Sequence, residues 1–198
     1  MTQHDLFGGA PSQAANVRQV RKPDGFSRYT WFFALRPPIE EARRIHAFAA
    51  DLLAFHGVPG KIVLPERLHI TLDVVGYDDV DETVAEAALR AGDAISSPRL
   101  DVRFEAAMSF SGPLVLVGGE GTDAVRKLRT DLGCALADRG FKPPRSYEPH
   151  MTLSYDAQRR LAKTPIGPIG FRAGEFALIK SHVGLSRHEI MRTWRLTG

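Results

Sequence analysis

One tetrapeptide constrains this chain more than anything else in it. His69-Ile70-Thr71-Leu72 returns 81 positions later as His150-Met151-Thr152-Leu153. Both copies lie in stretches that read as β-strands. In a strand, residues two apart share a face. Each copy therefore sets an imidazole beside a hydroxyl on one surface and turns two apolar side chains toward a core. With seven histidines in 198 residues, composition gives roughly 0.3–0.4 His-x-Thr triplets by chance, so one copy alone is a weak motif. Two copies, both continuing into Leu, demand a fold that presents two equivalent strands.

The rest of the chain supplies them. Tyr29 to Leu35 is an aromatic, apolar strand pattern ending at Pro37-Pro38. Ile39 to Phe55 has a helical period, with Ala42, Ile45, Ala49 and Leu52 on one side. Lys61 to Leu64 is a short strand candidate, and Leu68 to Val75 the first motif strand, ended by Gly76. Asp81 caps a second helix reaching Ile95. Leu100 to Phe110 and Leu114 to Val117 read as a hairpin through Ser111-Gly112-Pro113. Gly118 to Gly121 is a loop. Thr122 is a candidate cap for a third helix, Asp123 to Asp138, closed by Gly140. Pro149 to Tyr155 is the second motif strand. The Pro/Gly-rich stretch Arg159 to Gly170 reads as a loop, and Phe176 to Gly184 and Ile190 to Leu196 as closing strands. The fold class is α+β, mainly antiparallel, with outer helices, and each half contributes a motif strand and at least one helix.

Composition bounds the function. The charged and apolar fractions, 25% and 43%, are those of an ordinary water-soluble domain. A net charge of +3 is compatible with an anionic ligand such as RNA or a nucleotide. Cys134 is the one cysteine, so no internal disulfide forms. Its neighbours Leu128, Leu132, Ala135 and Leu136 suggest the apolar face of a helix. With no transmembrane run or signal peptide, the expected location is cytoplasmic. Residues 1–27 lack periodicity and read as a flexible arm; 28–198 read as one large domain or two small lobes. Within the arm, Gln3, Leu6 and Phe7 resemble the short peptide by which bacterial proteins dock on the DNA sliding clamp.

Histidine titrates near neutrality, with an unperturbed pKa of about 6.5, so two of them flanking one phosphorus can divide the proton transfers. Threonine hydroxyls beside them can donate to the non-bridging oxygens where charge grows. That chemistry needs no metal or other cofactor. Two readings stand beside it. Both histidines could be core residues bonded to neighbours, or either could ligate a metal, although neither copy has metal-ligand spacing. No nucleophile elbow points to a serine hydrolase, and Cys134 lies far from both motifs.

The paired His-x-Thr-Leu resembles the signature of the 2H phosphoesterase superfamily, and within it the bacterial LigT-like group, RNA 2′,3′-cyclic phosphodiesterases also called 2′-5′ RNA ligases. The likeness is carried by Trp31-Phe32-Phe33-Ala34-Leu35, by Pro65-Glu66-Arg67-Leu68 running into the first motif, by Gly140-Phe141 and Pro149 before the second, and by Trp194-Arg195-Leu196. It implies two pseudo-symmetric lobes with both motifs lining a central cleft. It also implies His69 as general acid, His150 as base for water, Thr71 and Thr152 as phosphate ligands, and a ribose 2′-phosphate as product. Tyr155 stands where such proteins often carry a basic residue, and as an aromatic it could stack on a base. His188 lies near a position often held by Tyr; His182 and His188 otherwise read as surface residues. Arg145 and Phe33 are further candidates for substrate contact. The alternatives left open are a 2′-5′ linked or other cyclic nucleotide substrate, ligation as the reverse chemistry, and a nucleotide- or RNA-end-binding module without turnover.

Overall fold

The structure is a computed structural model that describes residues 27–143 and 146–197. The clamp-like peptide, the expected arm up to residue 26 and Arg145 lie outside the described residues; Ser27, assigned to the arm, is described and buried.

Among the described residues, eight strands form one sheet in the order β6-β3-β4-β5-β2-β1-β7-β8, every neighbouring pair antiparallel. Chain order is β1 (Tyr29–Leu35), α1 (Ile39–Phe55), β2 (Ile70–Tyr77), α2 (Glu82–Asp93), β3 (Leu100–Ser109), β4 (Leu114–Val117), α3 (Thr122–Ala137), β5 (His150–Ser154), β6 (Thr164–Ala173), β7 (Glu175–His182) and β8 (Arg187–Arg195). The sheet divides into two halves of four strands. β2-β1-β7-β8 and β5-β4-β3-β6 meet only where β2 faces β5, through the pair Ile70↔Met151.

Each half is built on the same unit, β1-α1-β2 in one and β4-α3-β5 in the other. The helices form because apolar residues recur at helical spacing: Ala42, Ile45, Ala49 and Leu52 on α1, Val125, Leu128 and Leu132 on α3. They also stop in the same way. After α1, Gly57 takes φ +57° and Val58 N–H donates to Leu53 O at 2.9 Å; after α3, Gly140 takes φ +89° and Phe141 N–H donates to Leu136 O at 3.2 Å. The principal core lies between the helices and one sheet face, and holds Phe33, Phe104, Ile70, Met151 and Leu153. The opposite face carries two small apolar clusters, Phe32-Ala34-Ala177-Ile179 in one half and Ala106-Val115-Val117 in the other.

Several expectations from the sequence are corrected. Thr164–Ala173 is strand β6, not loop; its prolines are tolerated because β6 is an edge strand bonded only to β3. Lys61–Leu64 forms a single bridge, Ile62↔Ser154, with Val63 N–H donating to Leu153 O at 2.8 Å. Gly76 lies inside β2, opposite Trp31. Gly121, with φ +79°, caps α3, and Thr122 is its first helical residue, its hydroxyl donating to Gly119 O. Asp81 does cap α2, accepting from Val84 N–H. Cys134 is exposed, because it falls between the buried positions of α3 rather than among them.

Candidate active site

β2 and β5 are registered through the single pair Ile70↔Met151, and extending that antiparallel register by one residue each way sets His69 against Thr152 and Thr71 against His150. Ile70 and Met151 are fully buried on the helix side, so strand alternation turns the two histidines and two threonines to the other face. The four residues of the doubled motif thus share the sheet face at the seam between the half-sheets, although the cleft on that face is lined by His69 and Thr71 and not by His150 or Thr152. His69 lies one residue before β2; His150 opens β5.

Each imidazole is oriented by the same contact. His69 Nδ1 lies 2.6 Å from Arg67 O, and His150 Nδ1 lies 2.8 Å from Glu148 O, in both cases the carbonyl two residues upstream. A carbonyl only accepts, so each Nδ1 carries the proton and each neutral ring offers Nε2 as its acceptor. Each ring is also backed by a phenylalanine. Phe32 stacks on His69 at 4.9 Å, and Phe110 meets His150 edge-on at 5.0 Å. The repeat is therefore one of environment as well as sequence.

A cleft of about 430 Å³ opens beside His69. Thr71, Phe32, Arg67, Tyr155 and His188 line it. Burial, opposed by the Arg67 carbonyl bond and reinforced by the charges of Arg67, His150 and Arg36, lowers the His69 pKa from 6.5 to about 4. His188 is lowered further, to about 3, chiefly by burial and then by His69, Arg67 and Arg36. Its ring sits 5.3 Å from that of His69, and its Nδ1 is buried with no hydrogen-bond partner among the described residues.

Tyr155 lines the cleft, with 56% of its surface exposed. Phe33 does not. It is fully buried against Phe176 and Trp194, because strand alternation gives the cleft face to Phe32 instead. His182 is largely covered and meets Glu189 at 3.2 Å, so neither it nor His188 is a plain surface residue. Sequence reasoning missed Phe32, Arg67, Arg36 and His188 as members of the site. The first three flank the motifs or belong to the β1 run, and parity along Trp31 to Arg36 was a signal that could have found Phe32. His188 is brought in by the β7-β8 hairpin, whose placement no local pattern gives.

A family model for the 2′-5′ RNA ligase superfamily matches residues 31–184, which includes both motifs and most of the sheet. The chain belongs to the 2′-5′ RNA ligase superfamily. Within and around that superfamily, it is 33% identical over 110 residues to an RNA 2′,3′-cyclic phosphodiesterase of Aeropyrum pernix, an alignment spanning 52% of this chain and 61% of that relative. Escherichia coli LigT, solved in complex with 3′-AMP, superposes with a TM-score of 0.70 at 26% identity, over 85% of this chain and 98% of LigT. A crystal structure described as a phosphoesterase gives a TM-score of 0.69 at 25% identity, over 86% and 99% of the two chains. The superposition on LigT, over 85% of this chain, shows that the two share one fold. No helix among the described residues is long and apolar enough to cross a membrane.

Proposed function

We propose that this chain is a metal-independent phosphodiesterase that opens 2′,3′-cyclic phosphates at the ends of RNA strands or nucleotides and leaves a 2′-phosphate. The observation that carries the reading is the seam: two histidines with matched Nδ1 bonds, each opposite the other motif's threonine. The likeness to an RNA 2′,3′-cyclic phosphodiesterase and to a LigT that binds 3′-AMP supports the same class of substrate.

In the proposed reaction, His150 takes a proton from water at Nε2 as the water oxygen bonds to phosphorus. The P–O3′ bond breaks, and His69 gives a proton to the departing O3′. Thr71 and Thr152 donate to the non-bridging oxygens, and Arg67 adds positive charge beside them. Tyr155 offers a face on which the terminal base can stack. If a 5′-hydroxyl takes the place of water, the same steps form a 2′-5′ linkage; the superfamily's description favours keeping this as the second reaction.

The test is hydrolysis of a 2′,3′-cyclic nucleotide in the presence of EDTA. Activity should persist. His69→Ala and His150→Ala should each lower kcat/KM by roughly 10²–10⁴-fold, and the double variant should lose little more than the worse single one. Near-full activity in either single variant would sink the two-histidine mechanism.

A further inference from the structure

We propose that a basic groove next to the cleft holds the phosphodiester backbone of a single-stranded polynucleotide, so that the chain prefers strands over free nucleotides. The inference rests on the proposed function for what occupies the cleft, and on separate residues for what lies beyond it.

The groove has a volume of about 620 Å³ and is lined by Arg36, Arg99 and Arg195, with Pro38 on its wall and Glu175 as the carboxylate among them. Its position follows from the strand register. Leu35 pairs with Ile70 on one side and Phe176 on the other, and Glu175 pairs with Arg195. One row across β2, β1, β7 and β8 therefore reads His69, Arg36, Glu175, Arg195. Ala34 and Ala177 lie on the cleft face of the sheet, so alternation puts Arg36 and Glu175 on that face with His69. Arg36, on the groove's wall, neighbours His69 in this row, and its charge adds a minor push to the lowering of His69 and His188. Arg195 stands three strand spacings from His69, roughly 14 Å. Arg99 comes from the segment entering β3, held there by Thr197 N–H donating to Ser97 O at 2.9 Å.

Among the described residues, the groove's arginines are not neutralised by ion pairs; Arg36 donates to Glu66 O at 3.5 Å, a neutral carbonyl that leaves its charge in place. Nearby arginines are committed to ion pairs, Arg172 with Asp101 and Arg192 with Asp93. Among the described residues, Arg36, Arg99 and Arg195 have no such partner. Three guanidinium groups against one carboxylate leave net positive charge in a channel that begins one strand from the candidate catalytic histidine. Guanidinium forks match phosphate oxygens. A mononucleotide seated with its phosphate at His69 has no further phosphate to offer the groove; a strand does. A strand also has its unpaired end free to enter a cleft of about 430 Å³.

The experiment compares 2′,3′-cyclic AMP with an unstructured oligoribonucleotide ending in a 2′,3′-cyclic phosphate, using the full chain and its Arg99→Ala/Arg195→Ala double variant. KM for the oligonucleotide should rise about tenfold in the variant, while KM for cyclic AMP stays put. The Arg99→Lys/Arg195→Lys variant should recover most of the loss. Fluorescence anisotropy with the 2′-phosphate product strand gives a readout that needs no turnover. There, the slope of log Kd against log salt should flatten by roughly 1.4 for two lost phosphate contacts. An unchanged oligonucleotide KM and salt slope would overturn the proposal, as would equal losses on both substrates. If the wild-type chain hydrolysed neither substrate, the proposed function would fail, and the anisotropy arm would still decide whether the groove binds RNA.

Discussion

His69 is held neutral by its own setting, yet the proposed reaction needs a proton on it. Burial beside Arg67 brings its pKa down to about 4, and a neutral ring with its proton on Nδ1 has nothing to give a leaving oxygen. A phosphodiester supplies the missing charge. An anion within about 4–6 Å favours the protonated imidazole, so substrate itself should return the proton to Nε2. The alkaline limb of kcat/KM, on which activity is lost as the free enzyme's His69 gives up its proton, should then lie near the low value. The same limb in kcat, which reports the complex, should lie at higher pH. Arg67→Gln removes a positive neighbour and should shift the kcat/KM limb upward. Coincident limbs in the two profiles would refute substrate-assisted protonation. His188 makes a second residue-scale prediction, on stability. Its folded pKa, about 3, is below the ordinary 6.5, as is that of His69. As pH falls below 6.5 the unfolded chain takes up protons that the folded chain refuses, so stability present above that pH is lost down to about pH 3–4. Tm should fall across that window in the wild type and fall less in His188→Phe, measured by thermal scans at pH 7 and pH 4.5.

The first motif strand is braced from behind by elements of the other half. Arg129 on α3 donates from Nε to Leu72 O at 3.3 Å and pairs with Asp73 at 3.7 Å; Tyr147, on the approach to β5, donates to Thr71 O at 2.6 Å and lies under the Arg129 guanidinium. Burial raises the Asp73 pKa, and Arg129 opposes it. Arg129→Met leaves that carboxylate mostly buried without its partner and should cost roughly 2–4 kcal/mol; adding Asp73→Asn should restore part of it. Tyr147→Phe gives up one hydrogen bond, about 1 kcal/mol, and should lower kcat more than it raises KM if the brace positions Thr71. Urea unfolding and steady-state kinetics on the same variants check both. At this scale the sequence is readable where a periodic pattern and its stop signal coincide. α1 matches its expected bounds because Ala42, Ile45, Ala49 and Leu52 recur up to Gly57. β6 was hidden because proline and glycine speak for turns locally, while its edge position, a property of the whole sheet, is what permits them. The brace was illegible for the same kind of reason: nothing local ties Arg129 to a strand 57 residues earlier.

The two half-sheets touch along a seam of one registered pair, and each half delivers one histidine to it. That arrangement was partly legible. The doubled motif implied two equivalent strands with a shared face, which is the fold's organising symmetry. What no local pattern revealed is that the chain's last two strands, β7 and β8, return to the first half, bring His188 with them, and set Glu175 and Arg195 in a row with Arg36. Strand partners so far apart in sequence are chosen by the global burial of apolar faces, not by any window of residues. The seam also makes a prediction about the molecule as a unit. Met151 and Leu132 are both fully buried in the principal core, but Met151 sits on the seam and Leu132 on α3. Met151→Ala and Leu132→Ala should each cost roughly 2–5 kcal/mol through the cavity they leave. Well below the melting range, Leu132→Ala should keep its kcat, because its half moves as one body. Met151→Ala should lose kcat by tenfold or more, because the two histidines shift relative to each other and not merely relative to solvent, and misplacement of about 1 Å is enough for losses of that order. Equal kcat in the two variants at matched stability would show that the seam does not set the distance on which the chemistry depends.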